Sequence, residues 1–265
     1  MRSNPFDDIW DEHKWESHIN QIEQKSHQFR EYLDTTFGDE NPRWYKILKE
    51  SSSEHDAINS FIEEELIFDE AYFPDDEDDW DIEDDVDDED FFGMIEDSFD
   101  DDDEDWEYDD DDLLDEDFDD IEEGDEWKLL SEDYVMSDYG SIENLAVYGV
   151  AHSLGAEVLK IAEENDQVHT NPTYNLFVSD ILLITAKIAA GYSLGFEQDV
   201  LGGNIAYNKK ALYAANRALD TLRMLKNKKI FKQSNDYYRL HATLFELRND
   251  LGVYIQELRE QFYSN

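Results

Sequence analysis

Residues 237–258 read YYRLHATLFELRNDLGVYIQEL, and Tyr237, Leu240, Leu244, Leu247, Leu251, Tyr254 and Leu258 recur at alternating spacings of three and four. That period places all seven on one face of an α-helix, with Arg239, Glu246 and Asp250 between them. An apolar seam sustained over three heptads has to be buried against other helices. Ser234, just upstream, is the expected N-cap.

Three further segments with helical periodicity precede it. Between residues 141 and 165 two apolar stripes run side by side: Ile142, Leu145, Gly149, His152, Ala156 and Leu159, then Val147, Val150, Leu154, Val158 and Ile161. Two stripes imply two buried faces. Asn171-Pro172 pairs a capping side chain with a proline suited to the first helical position, and Phe177, Ile181, Ile184 and Ile188 follow as a seam. The third segment is expected to start near Asn204, with Gly202-Gly203 as a helix break, and carries Ile205, Leu212, Ala215, Leu219 and Leu222. Four such helices with short connections predict an antiparallel four-helix bundle over residues 127–265, able to fold on its own. Gly149, Gly155, Ala189, Ala211, Ala214 and Ala218 on the stripes predict closely approaching axes.

Upstream, Asn4-Pro5 and Asn41-Pro42 each predict a helix start. Trp15, Ile19, Ile22, Ser26, Phe29 and Leu33 share one face, Gly38 interrupts, and Trp44, Ile47, Leu48, Ile58, Phe61, Ile62 and Leu66 resume the pattern. Residues 1–68 are therefore expected to form two or three helices. So short a segment makes a marginal core alone, so docking onto the bundle or a partner is expected.

Charge divides the chain more sharply than hydropathy does. The 265 residues carry a net charge of −49, distributed as −9 over residues 1–68, −37 over 69–126 and −3 over 127–265. Salt adaptation would spread acid over every domain, so this segregation argues against it. Residues 69–126 hold 37 Asp or Glu and no Lys or Arg against 17 apolar residues. Ordering a residue costs ~1–2 kcal/mol and burying a large apolar side chain returns about 2, so a stretch in which acids outnumber apolar groups two to one cannot fold alone. Like-charge repulsion in runs such as residues 100–105 works in the same direction. The fold class expected is all-α: an N-terminal helical segment, a central disordered acidic tract and a C-terminal bundle.

The tract is punctuated by Trp80, Phe91, Phe92, Phe99, Trp106 and Phe118, which an inert solubilising spacer would not need. Acid interleaved with bulky apolar groups suits a segment that grips a basic protein surface, charge supplying long-range steering and aromatics short-range anchors. These six are the candidate partner-binding residues. The client expected is a basic protein of the nucleic-acid-binding kind, with the tract acting as a nucleic-acid mimic or chaperone-like mask and the bundle as platform or oligomer interface. Direct binding to nucleic acid is disfavoured by phosphate repulsion; the basic cluster Lys226, Lys228, Lys229 and Lys232 is small. Two other readings compete. In one, the tract is a spacer in a structural assembly; in the other, the bundle is an enzyme or cofactor binder around His152, Asp180 and His241, three polar groups on or beside its seams.

Motifs that would favour the last reading are missing. The sequence contains no Glu-x-x-His pair of the di-iron kind, no His-Glu-x-x-His, no phosphate-binding Gly-rich loop and no EF-hand pattern, so neither catalytic residue, metal nor cofactor is expected. With no cysteine there are no disulfides or thiolate ligands. The start MRSNPFDDIW lacks the apolar run of a secretory signal, and a cytoplasmic location is expected. Residues 175–192 are apolar enough to raise a membrane span. Asp180 and Lys187 would each cost about 2.5–3.5 kcal/mol at a bilayer centre, more than the eight Leu, Ile, Phe and Val residues return, so a buried helix is expected instead.

Overall fold

A computed structural model of the chain describes residues 9–37, 41–70, 141–165, 168–226, 228, 230–231 and 234–264. Among these residues the structure is entirely helical, with no strand. Seven α-helices follow in order: α1 (Glu12–Phe37), α2 (Arg43–Glu50), α3 (Glu54–Glu70), α4 (Ala146–Glu164), α5 (Pro172–Leu194), α6 (Leu201–Leu225) and α7 (Ser234–Ser264). Single 3₁₀ turns at Ile142–Asn144 and Val168–Thr170 lead into α4 and α5. All of them belong to one compact unit.

The seam of α7 is buried where the spacing placed it: Leu240, Leu244, Leu247 and Leu251 are fully enclosed, with Tyr237 and Leu258 at either end. At the sixth position of the seam the burial passes from Tyr254, which is half-buried, to Ile255. A straight helix of 3.6 residues per turn drifts off a seven-residue repeat, and the seam moves one position to stay inside. Asn171 caps α5 as expected, its Oδ1 accepting from the backbone N–H of Thr173 and Tyr174 at 3.1 and 3.3 Å, with Pro172 in the first helical position.

α5 is the centre of the molecule. Fourteen of its 23 residues are buried, because α4, α6 and α3 all pack against it. It is the one described helix long and apolar enough to cross a membrane, and most of its apolar residues are buried against these neighbours. α6 packs on α5 and α7, and α4 reaches both α5 and α7. The Tyr174 hydroxyl donates to the Val158 carbonyl at 2.9 Å, joining α5 to α4. The N-terminal helices complete the core: Trp44, Ile47, Leu48, Ile58, Phe61 and Ile62 belong to the same contiguous apolar cluster as Phe177, Ile181 and Leu247.

Three local expectations are corrected. Gly202-Gly203 does not break a helix; α6 begins at Leu201 and both glycines lie in its first turn. The space a Cβ would need is already filled, by the Trp10 carbonyl oxygen and the Trp15 ring at Gly202 and by Leu194 and Trp15 at Gly203. The paired stripes on α4 resolve into one wide buried face, Val147, Ala151, Leu154, Val158 and Ala162 with Tyr148, Gly155 and Leu159 beside it, while Gly149 and Val150 face outward. Gly149 thus mediates no close approach, whereas Gly155 does, against Ile58 of α3. Asn4-Pro5 lies outside the described residues; the described start of α1 is capped by Asp11, whose Oδ1 accepts from His13 and Lys14 N–H at 3.0 and 2.9 Å.

Candidate functional site

Trp80, Phe91, Phe92, Phe99, Trp106 and Phe118 lie outside the described residues, as does the acidic tract beyond Glu70. What the structure places is the ground on either side of them. α3 carries the chain up to Glu70 and the described chain resumes at Ser141, ahead of α4. α3 and α4 pack against each other, with His152 Nε2 3.2 Å from Asn59 Oδ1. Glu70 ends α3 and Ser141 leads into α4, so the described chain ends and resumes at two helices that pack together.

His152, Asp180 and His241 are not brought together. His152 of α4 faces α3, where it meets Asn59 and the ring of His55, 5.4 Å between centroids. Asp180 of α5 turns to α6 and is held by Arg217, which donates from Nε at 2.9 Å and approaches with Nη2 at 2.8 Å. Burial raises the Asp180 carboxyl above its ordinary range and Arg217 pulls it back. His241 lies along α7, its ring parallel to that of Phe245 at 6.4 Å. Among the described residues no three His, Asp or Glu are grouped so that they could hold a metal ion. Of the basic cluster, Lys226 sits over the rings of Tyr237 and Tyr238 and Lys228 donates to Thr173 Oγ1 at 2.9 Å. Lys229 and Lys232 lie outside the described residues.

The most organised polar arrangement was not singled out from the sequence. α1 presents Glu12, Glu16 and Glu23 to a row of cations on the last three helices. Arg259 of α7 forms a two-pronged pair with buried Glu12, 2.7 Å at each prong. Lys209 of α6 binds Glu16, and Glu23 takes Lys210 of α6 and, at 3.2 Å, Lys187 of α5. The hydrogen bond from Arg259 holds the Glu12 carboxyl below the usual glutamate range against the opposing effect of burial. A second cluster ties the N-terminal helices to one another: Glu65 of α3, 5% exposed, accepts from Arg30 of α1 at 2.6 Å and from Arg43 of α2. Burial pushes the Glu65 carboxyl up, and the positive charges of Arg30, Lys187 and Arg43 outweigh it and hold it low. The signal was legible in part: Glu12, Glu16 and Glu23 share a helical face adjoining Trp15, Ile19 and Ile22, but nothing local indicates which cations lie opposite.

No family model, curated protein or solved structure matches this chain.

Proposed function

We propose that the protein is a non-enzymatic interaction protein whose acidic, aromatic-punctuated tract masks a positively charged protein surface while the helical unit serves as its platform. The observation that carries this reading is the contrast between two kinds of acid. Acids of α1 and α3 are met internally, Glu12 by Arg259, Glu16 by Lys209, Glu23 by two lysines and Glu65 by two arginines. The 37 acids of residues 69–126 have no cation within their own segment to meet. Residues 1–68 and 127–265 carry only −9 and −3 against −37 for the segment between them, so the polyanion is concentrated away from the helices that hold it.

The last four helices, α4 to α7, form the platform, which we read as an antiparallel four-helix bundle extended by α1 to α3. Because α1 to α3 pack directly on it, a tract that only spaced them from the bundle would have nothing to space. The separate neighbours of His152, Asp180 and His241 give the enzyme reading no constellation to start from. The client class is a basic, nucleic-acid-binding protein, met through charge complementarity. The test is a titration of a basic DNA-binding domain with the full chain and with a chain lacking residues 75–125. Binding by the full chain alone supports the proposal; equal binding, or none by either, overturns it.

A further inference from the structure

α4 and α7 part along their outer edges to leave a groove. One hollow of about 610 Å³ lies over Gly149, Val150, Leu154 and Thr243, and it adjoins a second of about 650 Å³ through Ser153 and Glu157, which line both. The α4 side of the lining runs from Ala146 to Glu164, the whole of that helix, ~28 Å long. The first hollow holds no charge apart from Glu157. Val150 stands exposed there, and the space a Cβ on Gly149 would take is empty to 4 Å. The second hollow, closed at one side by the first turn of α3, is acidic: Glu54, Glu157, Glu164 and Asp236 stand against Lys160 and Arg239.

Charge decides what kind of chain suits this groove. Arg239 is already taken by Glu157 and Asp236, while Glu54 has no ion pair among the described residues. Glu246 and Asp250, three and seven residues beyond Thr243 on the same face of α7, are exposed and likewise have no ion pair among the described residues. The chain's own tract, with 37 acids and no Lys or Arg over residues 69–126, would be repelled from such a rim, and so would the tract of a second copy. A basic segment would be drawn to it. The backbone decides the form of that segment. Both walls are helices and the described residues offer no strand edge, so an extended peptide would bury N–H and C=O groups without partners. A helix satisfies its own and lays one apolar stripe into a groove, anchored at spacings of three and four.

We propose that the α4–α7 groove receives a basic amphipathic helix of a partner protein, its apolar stripe against Gly149, Val150 and Thr243 and its cations toward Glu54, Glu246 and Asp250. The site belongs to the folded unit and stands or falls separately from the masking role of the acidic tract.

The probe is a synthetic helix of about 15 residues made of Leu, Ala and Lys, with leucines three and four apart, and its control is a scrambled peptide of the same composition. Both carry the same charge, so attraction to the acidic tract is common to the two. The full chain would be titrated with each, following peptide fluorescence anisotropy and backbone amide shifts. The striped peptide is expected to bind about tenfold more tightly, with saturable shifts at Gly149, Val150 and Thr243. Gly149→Gln fills the groove from a position with open space around it. It should leave the thermal midpoint no lower while reducing affinity for the striped peptide to that for the scrambled one. Glu54→Gln should weaken binding of the striped peptide about threefold at low salt and less at high salt. Asp220→Asn, an equal change of charge on α6, should alter neither affinity. Equal binding of the two peptides, shifts that miss α4 and α7, or an unchanged preference in Gly149→Gln overturns the proposal. Shifts of the same amides on raising protein concentration without peptide would assign the groove to a second copy and overturn it as well.

Discussion

The two glycine environments on this fold make opposite predictions for one substitution. At Gly202 an added Cβ would stand 2.5 Å from the Trp10 carbonyl oxygen, a backbone atom that cannot rotate away. Gly202→Ala should therefore destabilise by about 1–3 kcal/mol, the range for overpacking a fitted contact. At Gly149 nothing lies within 4 Å and the residue sits exposed in the first turn of α4. Gly149→Ala should stabilise by about 0.5–1 kcal/mol by removing backbone freedom from the unfolded chain. Urea unfolding of both variants checks the pair; equal signs would contradict the packing described. The contrast also shows what a sequence conceals at this scale. Gly149 and Gly155 read alike as small residues on a stripe and Gly202 as a helix break, yet what separates the three is the neighbour each one meets: solvent, Ile58 of α3, or the backbone before α1. The Asn171-Pro172 cap was legible because its partners, Thr173 and Tyr174, are the next residues along.

α1 is held differently from the other helices. Its buried apolar residues, Trp15, Ile19 and Ile22, lie outside the contiguous core that unites Trp44 and Ile58 with α4 to α7. Its attachment leans on ion pairs, above all Glu12 with Arg259. The sign of the pH dependence follows from Glu12 being held below its ordinary value. The folded state binds the proton less readily than the unfolded state, so the contribution is present above the unfolded glutamate range and is lost as pH falls through the depressed value. Hydrogen exchange on α1 amides should accelerate over that acidic window while α5 and α6 stay protected. Glu12→Gln should raise α1 exchange already at neutral pH and flatten the window. Uniform exchange across α1 and α5 at all pH values would contradict a separately held α1. The α7 seam was readable because its period is internal to one helix. The α1 pairing was not, because Glu12 and Arg259 are 247 residues apart.

Across the whole molecule, one core is built from both ends of the sequence. Trp44, Ile58 and Ile62 join the cluster that buries Phe177 and Ile181. Removing α1 to α3 would expose that face of α5. A chain lacking residues 75–125 should therefore melt cooperatively near the midpoint of the full chain, whereas residues 127–265 alone should be less stable. A large drop in midpoint on removing 75–125 would mean that the tract contributes to the core. The central claim concerns what the tract does. Changing Trp80, Phe91, Phe92, Phe99, Trp106 and Phe118 to serine leaves all 37 carboxylates of the tract in place. Steering by charge sets the on-rate and is screened beyond about 8–10 Å at physiological salt, while short-range contacts set the off-rate. The direct measurement is titration of a basic DNA-binding domain with the full chain and with this six-fold variant at two salt concentrations. The expected result is a loss of about tenfold, ~1.4 kcal/mol, seen mainly as faster dissociation. Equal affinities for the two proteins at both salt concentrations would contradict the anchoring role of the aromatics.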